Sequence, residues 1–189
     1  VCEAFPVMED IVFWYQKGTD FHIKMDSDGL IMAGGGLEQV TWMDVRIDKE
    51  LPTPRHGKPV EINAYWYNGL RILEELAPFV GKDGSVYGKL AGQVKKSFLE
   101  KFWMEEEGYL KDVLNGTYEE KQFRGNQVFV LALPFHQIVV LGVLNEVLIL
   151  ITFWLQAMDE ALDKTAQQDK KKELKYLIIS KIFTKNLSI

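Results

Sequence analysis

An apolar stripe with the period of an α-helix constrains this chain most strongly, and it lies within residues 60–79. Apolar side chains recur there at intervals of three or four residues, which places them on one face of a helix: Ile62, Tyr65, Trp66, Leu70, Leu73 and Leu76. Pro59 stands where a helix can begin, and Pro78 stands where it should end. The sequence therefore predicts a long amphipathic helix at this position.

Four further segments have helical character, and none alternates with the period of a β-strand. They are residues 9–17, 85–105, 127–162 with a break near Pro134, and 170–183. Residues 19–58 form a long connection rich in Gly, Asp and Pro, and such connections are usually functional. The pattern predicts an all-α fold. The alternative is an α+β fold with short strands inside the irregular stretches 19–58 and 107–125.

Composition limits the classes of function. A chain of 189 residues predicts one domain, spanning 1–189. Its net charge of −5 argues against a nucleic-acid partner, which needs clustered Lys and Arg. The single cysteine, Cys2, cannot form an internal disulfide, which favours a reducing, cytoplasmic setting. We expect no metal and no cofactor, because the three histidines are scattered and the glycine-rich residues 33–39 lack the end of a phosphate-binding loop.

Residues 138–158 are apolar over about the ~20 residues that a membrane span requires. Asn145 and Glu146 lie at the middle of the stretch, where a charge is costly in a bilayer. A helix buried in a large α-helical fold has the same composition. The buried helix is the favoured interpretation, so no membrane partner is expected.

Asp44 stands beside two large apolar residues, Trp42 and Met43. Their contact would partly desolvate its carboxyl group and favour the protonated form that a general acid requires. An Asp at the start of a turn can equally serve as its cap. The residues alone leave both interpretations open.

Polar and aromatic side chains are dense on the predicted helix 60–79. Glu61, Tyr65 and Asn68 share one face, and Asn63 lies in a neighbouring row with Tyr67. Flat rings beside amides and carboxylates suit a sugar, which has apolar CH faces and a rim of hydroxyl groups. The alternative is a helix packed through its rings, with its Glu and Asn solvated at the edge.

Several motifs follow one another in a fixed order: WYQKGT (14–19), DGLIMAG (28–34), TWMD (41–44), TPRHGKPVEINAYWYNGLRIL (53–73), GYLKDVLNG (108–116) and RGNQVFVLALPF (124–135). Together they resemble the glucosidase domain of glycogen debranching enzymes, the amylo-α-1,6-glucosidase family. TWMD followed by PR-x-GKPVEIN at this spacing is the most specific of them. The resemblance covers about residues 11–135. Gly125 stands where the family usually has proline.

The resemblance implies an (α/α)6 toroid with a central pocket for glucose, of which this chain would form about half. The predicted fold class is therefore a partial, all-α toroid, and residues 1–189 are interpreted as a fragment of the glucosidase domain. Residues 136–189 follow no family pattern and are expected to form divergent helices. The apolar helix among them would bury Leu148, Ile151 and Leu155, either by self-association or by closing over the open side of the fold.

The resemblance also implies an activity: inverting hydrolysis of α-1,6-linked glucose stubs on glycogen or a limit dextrin, which is glycogen debranching. It assigns the general acid to Asp44. It implies that nine residues contact the glucan: Trp42, Arg55, Lys58, Glu61, Asn63, Asp112, Arg124, Asn126 and Gln127. No residue is marked as the general base, so the alternative is a non-catalytic α-glucan-binding or structural remnant. A related hydrolase with another glycan substrate is a third interpretation.

Overall fold

The structure is a computed structural model that describes residues 1–135. It contains four α-helices in this range. They are α1 (Ala4–Lys17), α2 (Val60–Leu76), α3 (Ser85–Phe102) and α4 (Val128–Ala132). Short 3-10 helices follow α2 at Ala77–Val80 and precede α4 at Gly125–Gln127. The predictions for residues 136–189, including the apolar helix and its self-association, lie outside the described residues.

Seven short strands connect the helices and pair in three small antiparallel sheets. They are β1 (Lys24–Met25), β2 (Ile31–Met32), β3 (Lys58–Pro59), β4 (Trp103–Met104), β5 (Tyr109–Leu110), β6 (Val113–Asn115) and β7 (Tyr118–Glu120). β1 pairs with β2, and β4 pairs with β5. The third sheet has the order β3-β6-β7.

The prediction of an all-α partial toroid is wrong for the described residues. They combine helices with antiparallel strands, and the strands lie in and around the stretches that the sequence left as irregular. The physical reason is strand length. A strand of two or three residues is too short to display alternation, and its pairing depends on distant partners.

The core forms around α2, which packs against α1, α3 and α4. Its apolar stripe is buried at Trp66, Leu70 and Leu73, as the helical period predicts, whereas Tyr65 of the same predicted stripe is exposed. α3 supplies buried residues from its facing side, among them a stacked pair of rings whose centroids lie 4.6 Å apart, Phe98 and Phe102. This core fixes the start of α2, from which the candidate site is built.

Helix α1 begins earlier than predicted, because Pro6 is tolerated in the first turn, where its missing N–H has no intrahelical partner. α4 ends two residues before Pro134, in agreement with the predicted break there. Over residues 1–135, no helix combines the length and the apolar character needed to cross a membrane.

Candidate functional site

Strand pairing assembles the site from three separate segments. β3 runs directly into α2 and pairs with β6, with Lys58 opposite Leu114. This pairing places Arg55, which precedes β3, beside Asp112, which precedes β6. Glu61 joins them because it lies in the first turn of α2. All three side chains are buried.

Arg55 bridges the two carboxylates with its whole guanidinium group. Its Nε donates a hydrogen bond to Asp112 Oδ2 at 2.9 Å, and its Nη2 donates to Asp112 Oδ1 at 3.1 Å. On the other side, Nη1 and Nη2 donate to the two carboxylate oxygens of Glu61, the second at 2.7 Å. A planar fork of donors suits such two-sided recognition, which a lysine could not reproduce. We call these three residues the Arg55 cluster.

The Arg55 cluster contains one cation and two carboxylates, and a fourth residue, Arg124, brings a second cation close to it. Burial lowers the pKa of the Arg55 guanidinium, but its hydrogen bonds and charge attraction to Glu61 and Asp112 outweigh that effect and raise the pKa above its ordinary value. Arg124 is partly exposed, and its Nε lies 3.4 Å from Asp112 Oδ2. That distance permits charge attraction, although the Arg124 Nε makes no hydrogen bond within the described part of the chain. Two cations and two carboxylates therefore meet here.

Asn126 connects the Arg55 cluster to the loop of residues 41–44, the TWMD loop. It is fully buried, and its Nδ2 donates to Asp112 Oδ1 at 2.7 Å and to Met43 Sδ at 3.1 Å. Its Oδ1 accepts a hydrogen bond from the indole Nε1 of Trp42 at 3.0 Å. Two consecutive residues of the TWMD loop are thus tied to buried charges.

Asp44 is also buried, and its two carboxylate oxygens differ in their surroundings. Oδ2 accepts hydrogen bonds from the backbone N–H groups of Val40 and Thr41, at 2.8 and 2.9 Å. Oδ1 is itself buried and has no hydrogen-bond partner among residues 1–135. The side chain therefore closes the turn that precedes it, whereas the sequence left open a cap on the turn that follows. One oxygen is anchored and the other is unengaged.

Three of the residues implied by the resemblance lie outside this network. Lys58 donates to Asp26 Oδ2 at 2.6 Å and to Asp28 Oδ2 at 2.7 Å, at the edge of a cavity of about 620 Å³. Asn63 hydrogen bonds the backbone of Ile31, with Oδ1 accepting from its N–H at 2.7 Å. Gln127 Oε1 accepts from the N–H of Leu110 at 2.9 Å. These side chains hold neighbouring segments together.

The residues of α2 that were predicted to share a sugar-binding face make separate contacts in the structure. Glu61 belongs to the Arg55 cluster, and Asn68 exchanges two hydrogen bonds with the backbone of Phe135, both at 2.9 Å. Tyr65 is partly exposed and packs against Phe129, with ring centroids 5.4 Å apart. The three side chains make separate contacts and share no hydrogen bond with one another among the described residues. Their amide and carboxylate groups are also not solvated at an edge, because Glu61 and Asn68 are buried.

Seven of the ten predicted site residues have buried side chains. Among the described residues, every buried polar side chain except Asn68 is one that the resemblance assigns to the site: Asp44, Arg55, Glu61, Asn63, Asp112, Asn126 and Gln127. A buried polar group is costly unless it is hydrogen bonded. These hydrogen-bonded side chains therefore form a polar core, and Trp42 is exposed at its rim.

Sequence reasoning missed the partners that complete these contacts. Asp26 and Asp28 were not proposed, although two carboxylates spaced by one residue in a glycine-containing loop are a usable signal for a cation partner. Their pKa values are both lowered. For Asp26 the hydrogen bond from Lys58 is the main cause, whereas for Asp28 burial opposes the effect and the hydrogen bonds from Lys101 and Lys58 overcome it. Within residues 1–135, no group of three or more His, Cys, Asp or Glu side chains is placed to hold a metal ion.

Comparison with known proteins agrees with the motifs. The family profile described as amylo-alpha-1,6-glucosidase matches residues 1–174. This match extends beyond the motif-bearing stretch 11–135 in both directions. No curated protein and no solved structure matches the chain.

Proposed function

Because the chain belongs to the amylo-alpha-1,6-glucosidase family, we propose that it acts on α-1,6-linked glucose stubs of glycogen. The reaction is an inverting hydrolysis in which Asp44 is the general acid. The observation that carries this assignment is the asymmetry of the Asp44 carboxyl group. Its Oδ2 is fixed by two backbone N–H groups, and its Oδ1 has no partner within the described residues.

A general acid must present one oxygen in a defined direction, because the proton transfer depends on geometry. The backbone hydrogen bonds to Oδ2 fix the carboxyl group without using Oδ1. The TWMD loop is itself held by Trp42 and Met43, which contact the buried Asn126. Preorganisation of this kind is what an acid in a glycosidase requires.

In the proposed reaction, Asp44 Oδ1 gives its proton to the glycosidic oxygen as the bond from that oxygen to the anomeric carbon breaks. A water molecule attacks the anomeric carbon from the opposite face of the ring, and a second carboxylate accepts its proton. The products are β-glucose and a glucan with a free hydroxyl group. Inverting enzymes separate the two carboxyl groups by roughly 6.5–9.5 Å to accommodate the water.

The second carboxylate does not come from the Arg55 cluster. Both carboxylate oxygens of Glu61 and both of Asp112 accept hydrogen bonds from Arg55, so neither carboxylate is free to take a proton from the attacking water. Their role in this proposal is to support the TWMD loop through Asn126. The resemblance marks no residue of this chain as the general base, so the proposal assigns none.

The test is hydrolysis of a limit dextrin by the full chain, with released glucose measured over time and its anomer identified by proton NMR. The expected product is β-glucose. Replacing Asp44 by Asn should reduce kcat by roughly 10²- to 10⁴-fold, the usual contribution of general acid catalysis.

Asp48→Asn is a matched control, because Asp48 is an exposed aspartate that also lies between β2 and β3. Its φ of 52° is a conformation that asparagine tolerates, so the control should retain full activity. An Asp44→Asn variant as active as the wild type would remove Asp44 from the acid role. Binding of the dextrin without glucose release from the wild type would support the glucan-binding alternative instead.

A further inference from the structure

Trp42 combines high exposure with a fixed orientation. It is 69% exposed, whereas Trp66 in the core is buried. Exposed aromatic side chains normally sample several rotamers, since few contacts restrain them. Here the indole N–H donates to a fully buried amide oxygen, that of Asn126. An exposed ring is thus held by the interior of the protein.

The orientation of the Asn126 amide is determined by its partners. The carboxylate of Asp112, when ionised, only accepts hydrogen bonds, so the amide nitrogen must face it. The indole N–H of Trp42 only donates, so the amide oxygen must face the ring. The two requirements agree, and the opposite amide orientation would break both hydrogen bonds.

The Arg55 cluster holds the Asn126 amide in this orientation through Asp112. Arg55 holds both oxygens of Asp112, which in turn holds the Asn126 nitrogen. Met43 Sδ accepts from the same nitrogen at 3.1 Å. A continuous chain of hydrogen bonds therefore runs from buried charges to the exposed indole of Trp42.

We infer that Asn126 is a positioning residue that holds the Trp42 indole as a stacking platform for a glucose ring of the glucan. The identity of the ring rests on the proposed function, and the positioning itself does not. Asn126 is fully buried and cannot touch a substrate, so it acts through Trp42. A glucose ring offers an apolar CH face that matches the exposed indole. Ordering the indole before binding reduces the entropy lost when the sugar binds.

Fluorine NMR of the full chain labelled with 5-fluorotryptophan observes Trp42 directly. The sequence has five tryptophans, so the Trp42 resonance is assigned by its loss in Trp42→Phe. The probe is isomaltose, an α-1,6-linked glucose disaccharide, titrated in an Asp44→Asn background so that it is not hydrolysed. We expect the Trp42 resonance to shift on titration.

Replacing Asn126 by leucine removes the hydrogen bond but nearly keeps the volume. We expect it to broaden or split the Trp42 resonance without ligand, and to weaken isomaltose binding by roughly two- to tenfold, the equivalent of one neutral hydrogen bond. Trp42→Phe keeps a ring and loses the same hydrogen bond, so it should weaken binding by a similar factor. The double variant Asn126→Leu with Trp42→Phe should bind isomaltose no more weakly than the single variant that has the lower affinity, because both changes remove the same hydrogen bond.

Asn68→Leu is the matched control, because Asn68 is also a buried asparagine but hydrogen bonds the backbone of Phe135. It should leave the Trp42 resonance unchanged. If Asn126→Leu fails to fold, Trp42→Phe removes the same hydrogen bond from the exposed side, and its loss of affinity tests the inference.

Three results would overturn the inference. An unchanged Trp42 linewidth in unliganded Asn126→Leu would exclude positioning, whatever the ligand is. A Trp42 resonance that stays fixed while isomaltose binds would exclude the platform. Additive losses in the double variant would mean that Asn126 acts by another route. Absence of any isomaltose binding by the wild-type sequence and by Asp44→Asn would instead refute the proposed function together with the platform, while the unliganded linewidth would still test positioning.

Discussion

Replacing Arg55 by methionine would leave two carboxylates in a fully buried site without the cation that joins them. Glu61 would lose both of its charged hydrogen bonds. Asp112 would keep Asn126 at 2.7 Å and the nearby guanidinium of Arg124, so it would be partly compensated. The larger share of the destabilisation should therefore come from Glu61.

Removing one partner of a buried ion pair typically costs about 3–5 kcal/mol, because the remaining charge stays desolvated. We expect Arg55→Met to fall in this range. A domain with a free energy of unfolding of about 5–15 kcal/mol would lose a large fraction of its stability. Arg55→Lys keeps the charge but loses the planar fork, so it should cost less, about 1–3 kcal/mol.

A double variant separates charge from packing. Arg55→Met with Glu61→Leu removes one charge of each sign and leaves Asp112 beside Arg124. Apolar replacements of both partners are often tolerated. The double variant should therefore be more stable than Arg55→Met alone, although it carries one more substitution.

Urea unfolding followed by tryptophan fluorescence and by circular dichroism would measure these differences. An Arg55→Met variant within about 1 kcal/mol of the wild type would refute the reasoning, since that is the value of an exposed pair. It would mean that water reaches Glu61 and Asp112. A double variant less stable than Arg55→Met would contradict the charge argument specifically.

Two further substitutions test the packing and the ionisation of other residues. Gly57→Ala should lower the melting temperature, because Gly57 has a φ of 102° and a Cβ there would stand 2.2 Å from the Leu114 carbonyl oxygen. Gly92→Ala has open space around it in α3, so it should instead stabilise the fold by about 0.4–1 kcal/mol. Equal melting temperatures of the two variants would contradict both expectations. Burial, together with the hydrogen bond that it donates to Glu9, raises the pKa of Tyr87 to about 12. The folded state therefore keeps a proton that the unfolded state loses near pH 10, so stability should fall as the pH rises from about 10 to 12. Absorbance titration of the tyrosines should find this late-titrating group, and Tyr87→Phe should remove it; an unchanged titration curve would count against the assignment.

The helices could be predicted because their signals are local. The stripe from Ile62 to Leu73 and the flanking prolines predicted α2, whose start agrees with the structure. The strands could not be predicted in the same way. β3 has two residues, and it is a strand because β6 lies beside it more than fifty residues later in the chain. Nothing in Lys58 and Pro59 alone indicates this pairing.

The candidate site, too, was predictable only where its signals are local in the sequence. The residue types at 42–44 and 61–68 pointed to polar chemistry, and the motifs pointed to the family. The ion pairs could not be derived from spacing, because Arg55 and Asp112 meet only through the pairing of β3 with β6. The exposure of Trp42 also depends on tertiary structure, since a tryptophan is usually at least partly buried. The assignment of sugar-binding roles to these residues remains a prediction.

The hydrogen bonds that join the Arg55 cluster to the TWMD loop also carry an order of assembly. Arg55 and Glu61 are 6 residues apart, Arg55 and Asp112 are 57 apart, and Trp42 and Asn126 are 84 apart. The entropy lost in closing a loop grows with its length, so the contact between Arg55 and Glu61 is the easiest to form; once Arg55 also holds Asp112, Trp42 and Asn126 are connected through a much shorter loop. During folding, the buried charges should therefore be in place before the exposed indole is captured. When the protein opens partially, these contacts should break in the opposite order, so the indole of Trp42 is released before the Arg55 cluster is disturbed. Hydrogen exchange of the backbone around Trp42 and around the Arg55 cluster can follow this order.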